Sequence, residues 1–466
     1  MMRISLAAGT VLLLAGCASF SPDGGFDSVG QLAQDRAGVT PVWQRTEKQS
    51  DDARTRSKEL LAQPLTSESA VELAILNNRG LQASFQELGI AESELVRAGR
   101  LSNPSFSFSR LSGGGTVEIE RAVGFNILGL LTMPLAMRVE EQRFARVRLQ
   151  TAADTVRLAS ETRRAYFEAV AAQELVSYFE QVKEAADASR ELASRMAAAG
   201  NFSKLAHLRE QSFYADATAN LARARHLSVA AREQLTRRLG LSGDQAAFSL
   251  PRRLPDLPKQ PREPRDAEQT AMDRRLDVMM AKHNTQAVAQ SLGLSRATRM
   301  VNVLHLGYAN VSETGEERRD GYEIEVELPI FDFGSTRVAR AEATYMQAMH
   351  RAAQTAVDAR SEVRESYSAY RTAYDLARHY RDEVVPLRKR ISEENLLRYN
   401  GMLIGVFELL ADSREQVASV TASVEALRDY WLAETNLQTA MTTGSPATGE
   451  SPATPTAAVG GGQAAH

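Results

Sequence analysis

The chain of 466 residues has a single cysteine, few aromatic residues (6%) and a net charge of only −3. One cysteine excludes an intramolecular disulfide and a paired-cysteine metal site. Balanced charge gives no electrostatic reason to expect nucleic acid as a partner. The scarcity of aromatics is low for one large globular core. The sequence also lacks HExxH, a P-loop and GxSxG, so no enzyme class announces itself and no cofactor is expected. Its histidines are dispersed: His207, His226, His283, His305, His350 and His379 read as solvated or packed side chains, and His466 lies in the tail. "SGGG" (Ser112–Gly115) is a hairpin loop without the strand–loop–helix context that holds phosphate.

What is present begins with "MMRISLAAGTVLLLAGCASF". Arg3 is a short basic region and Ile4 to Leu14 an apolar one, too short for a stable transmembrane helix and typical of a secretory signal over residues 1–16. Leu14-Ala15-Gly16-Cys17 resembles a bacterial lipobox. That resemblance implies cleavage before Cys17 and acylation of its thiol and amine, with palmitate among the attached chains. Ala18 and Ser19 follow, and neither is the Asp that retains such lipoproteins in the inner membrane, so the outer membrane is the expected address. Residues 17–64 read as an extended, lipid-anchored strap.

Beyond the strap, two residue periods alternate. Leu65 to Arg100 has helical spacing, with Thr66 placed to cap it. "NPSFSFSRL" and "TVEIERAVGFNILGLL" then switch to a period of two, predicting strands over about 103–131. From about 135 to 240 the period returns to three and four, broken only at "AAAGNFS" around Gly200 and Asn201. Prolines 251, 255, 258, 261 and 264 forbid helix, so 249–265 is predicted as an extended linker.

The order then repeats over 266–441. There are strands at about 300–331 and a long helical hairpin at about 335–441, interrupted at Gly401. Pro386 predicts a kink or a locally unwound turn. Residues 442–466 are low-complexity and expected to be disordered. Arg163 and Arg364, Tyr166 and Tyr367, and Gly200 and Gly401 each stand 201 apart, so the halves are an internal duplication with the first repeat at 65–248.

The strand "GYEIEVELPI" alternates Tyr322, Ile324 and Val326 with Glu323, Glu325 and Glu327. Glu118 and Glu120 alternate likewise with Val117 and Ile119. Four such amphipathic strands cannot close a barrel, but twelve from a trimer can, with every edge paired. The predicted architecture is mainly α with a small β part: duplicated helical hairpins forming an α-barrel, and four strands per protomer in a shared barrel. If the apolar rows meet lipid, Glu118, Glu120, Glu323, Glu325 and Glu327 face a wet lumen, where they attract cations or only solvate the wall.

Helix, two strands, long helix, glycine turn and helix, duplicated behind a lipobox, resembles the TolC-like outer-membrane factor family over about Leu65 to Met441. The matching stretches include "LNNRGLQAS", "LSNPSFSFS", "ELPIFDFGSTR" and "YNGMLIGVFELLADSREQ". The resemblance implies a homotrimer in outer-membrane lipid, acting as a passive exit duct docked to a periplasmic adaptor and an inner-membrane pump. It places the turns at Gly200, Asn201 and Gly401 at the periplasmic tip. Lys204, His207 and Arg209 near the first turn are candidates for adaptor contact. In the family, acids just after the second turn narrow the pore. Here Phe407 and Leu410 take those places, with Glu408 and Asp412 a face away, so an apolar constriction is the alternative. An anchored coiled-coil scaffold or adaptor is the competing reading; it leaves the four strands at matched positions without a role.

Overall fold

The computed structural model describes residues 19–264, 266–327 and 329–444. The segment expected to be a signal peptide, Cys17 with its expected lipidation, and the tail from 445 onward lie outside the described residues.

The segment expected as an extended strap contains two helices, α1 (Phe26–Ala37) and α2 (Glu47–Leu61). In α1, Val29 and Ala33 are buried one helical turn apart. In α2, Thr46 forms a capping box with Gln49, satisfying the first backbone donors of a charged, weakly apolar helix. The sparse apolar positions hid both helices from a periodicity reading. Leu65–Arg100 is two helices, α3 (Ser67–Asn77) and α4 (Arg79–Ala98). Thr66 caps α3 as the sequence predicts. Asn78 turns out of the helix (ψ 112) and its side chain caps the next one at Leu81.

Strands β1 (Ser105–Gly113) and β2 (Thr116–Asn126) follow. Then α5 runs unbroken from Ile127 to Ala198, 72 residues and about 108 Å. The expected strand to 131 and helix from about 135 are corrected here: Asn126 Oδ1 accepts from Gly129 N at 2.8 Å, so the helix starts at the apolar run "ILGLL" and Pro134 lies inside it. Helix α6 (Lys204–Leu239) completes the first hairpin.

The second half contains α7 (Ala267–Arg274), α8 (Leu276–Ala297), β3 (Val303–Glu313), β4 (Arg319–Glu327), α9 (Ser335–His379), α10 (Val385–Asn400) and α11 (Val406–Thr442). The loop between these two strands is confined to 314–318, because β3 continues through Glu313. Between α9 and α10, Tyr380–Val384 forms a π-helix in which Val385 N bonds to Tyr380 O. Pro386 has no N–H and would crowd the carbonyl four residues back, so the wider turn just before it relieves both problems.

The four strands form one antiparallel sheet in the order β1-β2-β3-β4, the β2–β3 pair joining the two halves of the chain. The main core lies where α3, α4, the middle of α5 and the end of α6 meet, around Leu73, Phe85, Val170, Leu235 and Leu239. Gly240 (φ +68) ends α6 against the backbone of Asn77, where a Cβ would lie 2.7 Å from the Asn77 carbonyl oxygen. Tyr166 Oη donates to Leu65 O at 3.1 Å. A second core of Tyr370, Tyr374, Tyr430 and Leu257 seats the proline linker. Tyr374 Oη lies 3.1 and 3.0 Å from the carbonyls of Pro258 and Lys259, Tyr370 Oη accepts from Arg262 N at 2.8 Å, and Trp431 Nε1 donates to Pro255 O at 3.1 Å. Extended backbone cannot pair with itself, so the aromatic side chains of α9 and α11 take over its hydrogen bonds. Among the described residues no helix is long and apolar enough to cross a membrane.

Candidate functional site

The sheet is the first candidate site. Directly paired residues in an antiparallel sheet share a face. The register pairs Phe106 with Val123, Val123 with Tyr308 and Tyr308 with Tyr322. Phe125, Leu306 and Ile324 form the next row and Leu304 with Val326 another. This face is apolar and uncovered: Phe106 is 69% exposed and Tyr322 82%.

The opposite face carries Glu118 and Glu120 toward the turns and Glu323, Glu325 and Glu327 toward the helices. Between them stand the small residues Ala122, Gly124, Gly307, Ala309 and Gly321, interrupted by Leu111 and Val311. Glu118 sits directly opposite Glu313, a like-charge pair that water or a counter-ion must screen; Arg319 approaches Glu313 to 3.0 Å. Glu325 lies 3.6 Å from His305 Nδ1. Every residue of β4 is exposed, so neither face is buried under helix along this strand.

The two hairpin turns are the second candidate site. In the first, α5 ends at Ala198 and Gly200 adopts φ +75, with Asn201 N bonding back to Met196 O at 3.0 Å. Ser203 Oγ accepts from Ala206 N at 3.1 Å and starts α6 with Lys204 exposed in its first turn. In the second turn Gly401 does not take the matching conformation: its φ is −79, and Met402 carries the positive φ of 57. Leu403 N bonds back to Arg398 O at 2.8 Å, the counterpart of the Asn201 bond. The spacing of 201 holds at Arg163/Arg364 and Tyr166/Tyr367. Beyond the π-helix, the helix ends (Ala198/Asn400), the left-handed residues (Gly200/Met402) and the helix starts (Lys204/Val406) all stand 202 apart. The π-helix absorbs the extra residue, which is why matching glycines in the sequence misplaces the turn by one.

That shift also pairs Glu210 with Asp412. Both are buried, at 1% and 6% exposure. Glu210 Oε2 accepts from Ser189 Oγ at 2.9 Å, while Glu210 Oε1 and Asp412 Oδ2 have no hydrogen-bond partner. Glu408 is exposed, so the two acids differ in environment. The side chains of Phe407 and Leu410 lie outside the described residues. Among the first-turn candidates, His207 Nε2 is held within the hairpin by Ser194 Oγ (3.3 Å) and Gln211 Nε2 (3.0 Å), and Arg209 and Asn201 are exposed. Exposed apolar residues also cluster near the turns: Leu192, Leu205 and Leu208 in one hairpin, Leu397, Met402 and Leu403 in the other. None of these was singled out in the sequence; the available signal was leucine and methionine lying within six residues of the helix ends. The described residues hold no group of three or more potential metal ligands.

Residues 268–400 match the family model described as outer membrane efflux protein. No curated protein matches the chain. Solved structures do. CusC aligns with a TM-score of 0.67 at 17% identity, covering 81% of this chain and 92% of CusC. The outer-membrane channel OprN aligns at 0.68 and 17% identity, covering 92% and 97%. The open state of the Neisseria gonorrhoeae MtrE outer membrane channel aligns at 0.67 and 16% identity, covering 81% and 89%. Residues 268–400 thus match an outer membrane efflux protein domain, and the chain has the fold of the TolC-like outer-membrane channels.

Proposed function

We propose that the chain is the outer-membrane exit duct of a tripartite efflux system, anchored by lipid on Cys17 and working as a homotrimer. The observation that carries this reading is the sheet with one apolar and one acidic face, neither covered by the protein's own helices along β4. Such a sheet is stable only with lipid on one side and water on the other, and its free edges at β1 and β4 must be paired within the membrane. Twelve strands from three copies satisfy both demands. The long hairpins α5/α6 and α9–α11 then extend the barrel into the periplasm.

In this reading the turns at Gly200, Asn201 and Met402 are the tip. Lys204 and the exposed leucines beside it offer a periplasmic adaptor a surface of apolar patches edged by charge, and an inner-membrane pump drives transport through it. Glu118 and Glu120 put negative charge at the outer mouth, and Glu323, Glu325 and Glu327 put it at the end of the barrel nearest the helices, so the lumen raises local cation concentration along its length. Asp412 and Glu408 border the narrow end of the tunnel together with positions 407 and 410.

The reading is tested by membrane extraction and gel migration. A trimeric barrel requires detergent for extraction, migrates as a compact high-mass band before boiling and collapses to the monomer after it. A monomer released without detergent contradicts the proposal.

A further inference from the structure

The apolar face of the sheet is not apolar throughout. Arg121 pairs with Phe108 and Arg110 with Ile119, so both arginines stand on the face that carries Phe106, Tyr308 and Tyr322. Being two residues apart on paired strands makes them diagonal neighbours, about 7–8 Å between backbones, close enough for long side chains to converge. They lie toward the turns at 114–115 and 314–318, at the end of the sheet remote from the helices.

Their charge is not used within the protein. Arg110 is exposed and has no ion pair or hydrogen bond among the described residues. Arg121 donates only to the neutral Asn310 Oδ1, at 3.3 Å. The carboxylate in the same row, Asp320, already accepts from Asn310 Nδ2 at 2.5 Å. An arginine on the lipid side of a barrel costs about 2–4 kcal/mol at mid-membrane and close to nothing at the interface. Two arginines without an ion-pair partner among the described residues, directly above rows of Phe, Tyr, Leu and Ile, therefore mark headgroup level, on the side away from the tunnel. What lies there against a lipid-facing surface is a lipid headgroup, and a guanidinium pair matches phosphate oxygens through forked hydrogen bonds. The acidic face repels such a group, so the site is confined to the outside of the barrel.

From this we propose that Arg110 and Arg121 bind the phosphate of an anionic outer-leaflet lipid, the class to which phosphorylated lipopolysaccharide belongs. The proposal rests on the reading that the apolar face meets lipid.

The test uses the full-length protein extracted in mild detergent, with bound lipid phosphate measured by native mass spectrometry. Reconstitution in phosphatidylcholine vesicles, with and without lipopolysaccharide, provides a second measurement. Wild type is expected to retain lipopolysaccharide, and the R110Q/R121Q double variant to retain at least about ten-fold less while keeping its heat-sensitive high-mass band. Lipopolysaccharide stripped of its phosphates is expected not to bind, and millimolar inorganic phosphate not to displace the intact lipid. Equal retention by the double variant, or by dephosphorylated lipid, overturns the proposal. Displacement by inorganic phosphate overturns it in favour of a free-anion site. If the double variant loses the high-mass band with unchanged bound lipid, the arginines pair with a neighbouring copy instead. A wild-type protein released without detergent overturns this inference together with the duct; a membrane trimer with no arginine-dependent lipid overturns this inference alone.

Discussion

Gly200 and Met402 occupy the same position in the two hairpin turns, both with positive φ, and only the first is a glycine. A residue with a Cβ costs roughly 1–2 kcal/mol in that conformation. Met402→Gly is therefore expected to stabilise the second turn by about 1 kcal/mol and Gly200→Ala to destabilise the first by a similar amount. Amide exchange in the last turns of α10 and α5 reads each effect locally; faster exchange around Met402→Gly contradicts the assignment.

The π-helix sets the register of everything beyond it. Deleting one residue from Tyr380–Val384 removes the residue that the wider turn absorbs, so the segment closes as α-helix and α10 keeps its face toward α11. Arg388 and Glu415, an ion pair across the hairpin, then stay together. Cysteines placed at 388 and 415 are expected to be joined by a short bifunctional thiol reagent in the full-length chain and equally in the deletion variant. Loss of cross-linking in the deletion variant means that the π-helix does not absorb the extra residue.

Glu210 and Asp412 differ in what they leave unpaired. Ser189→Ala removes the hydroxyl that donates to Glu210 and is expected to cost about 1–3 kcal/mol, because a buried carboxylate loses its donor. Asp412→Ala removes an oxygen that has no partner, and is expected to be neutral or stabilising in thermal unfolding. A large loss on Asp412→Ala would show that this carboxylate holds a structural contact.

Asp154 in α5 gives a pH dependence. Burial pushes its carboxyl above the ordinary value of 3.8, with Arg157 and Gln150 only partly opposing it. The folded protein thus holds this proton to higher pH than the unfolded chain, so the stability it contributes is present below 3.8 and lost as pH rises through the folded value. Asp154→Asn is expected to raise the unfolding temperature at pH 7 and to lose that advantage toward pH 3. A gain that grows on acidification contradicts the sign.

Much of this was legible in residue periodicity. The change from a period of two to three and four located both strand pairs and both hairpins, and the acids of β2 and β4 fell on one face because alternation fixes side once strands pair. Pro386 located the irregular turn. What stayed hidden depends on contacts between distant segments. Helices α1 and α2 have too few apolar positions to show a stripe, and their burial comes from the core they cover. The slip from 201 to 202 is invisible without the π-helix, since Gly401 looks like the partner of Gly200 in any alignment of letters. Ser189 and Glu210 are 21 residues apart and meet only when the hairpin closes. Arg110 and Arg121 join one face only through the β1–β2 register.

The central claim is that the acidic face of the sheet lines a water-filled pore built by three copies. Single-channel recording in planar bilayers under a salt gradient tests it most directly, comparing wild type with Glu323→Gln/Glu325→Gln/Glu327→Gln. The account predicts a long-lived conducting pore from a trimeric particle, with a cation-favouring reversal potential that moves toward zero in the triple variant. A protein that forms no pore, or a pore whose reversal potential is unchanged when the three glutamates are neutralised, would contradict it.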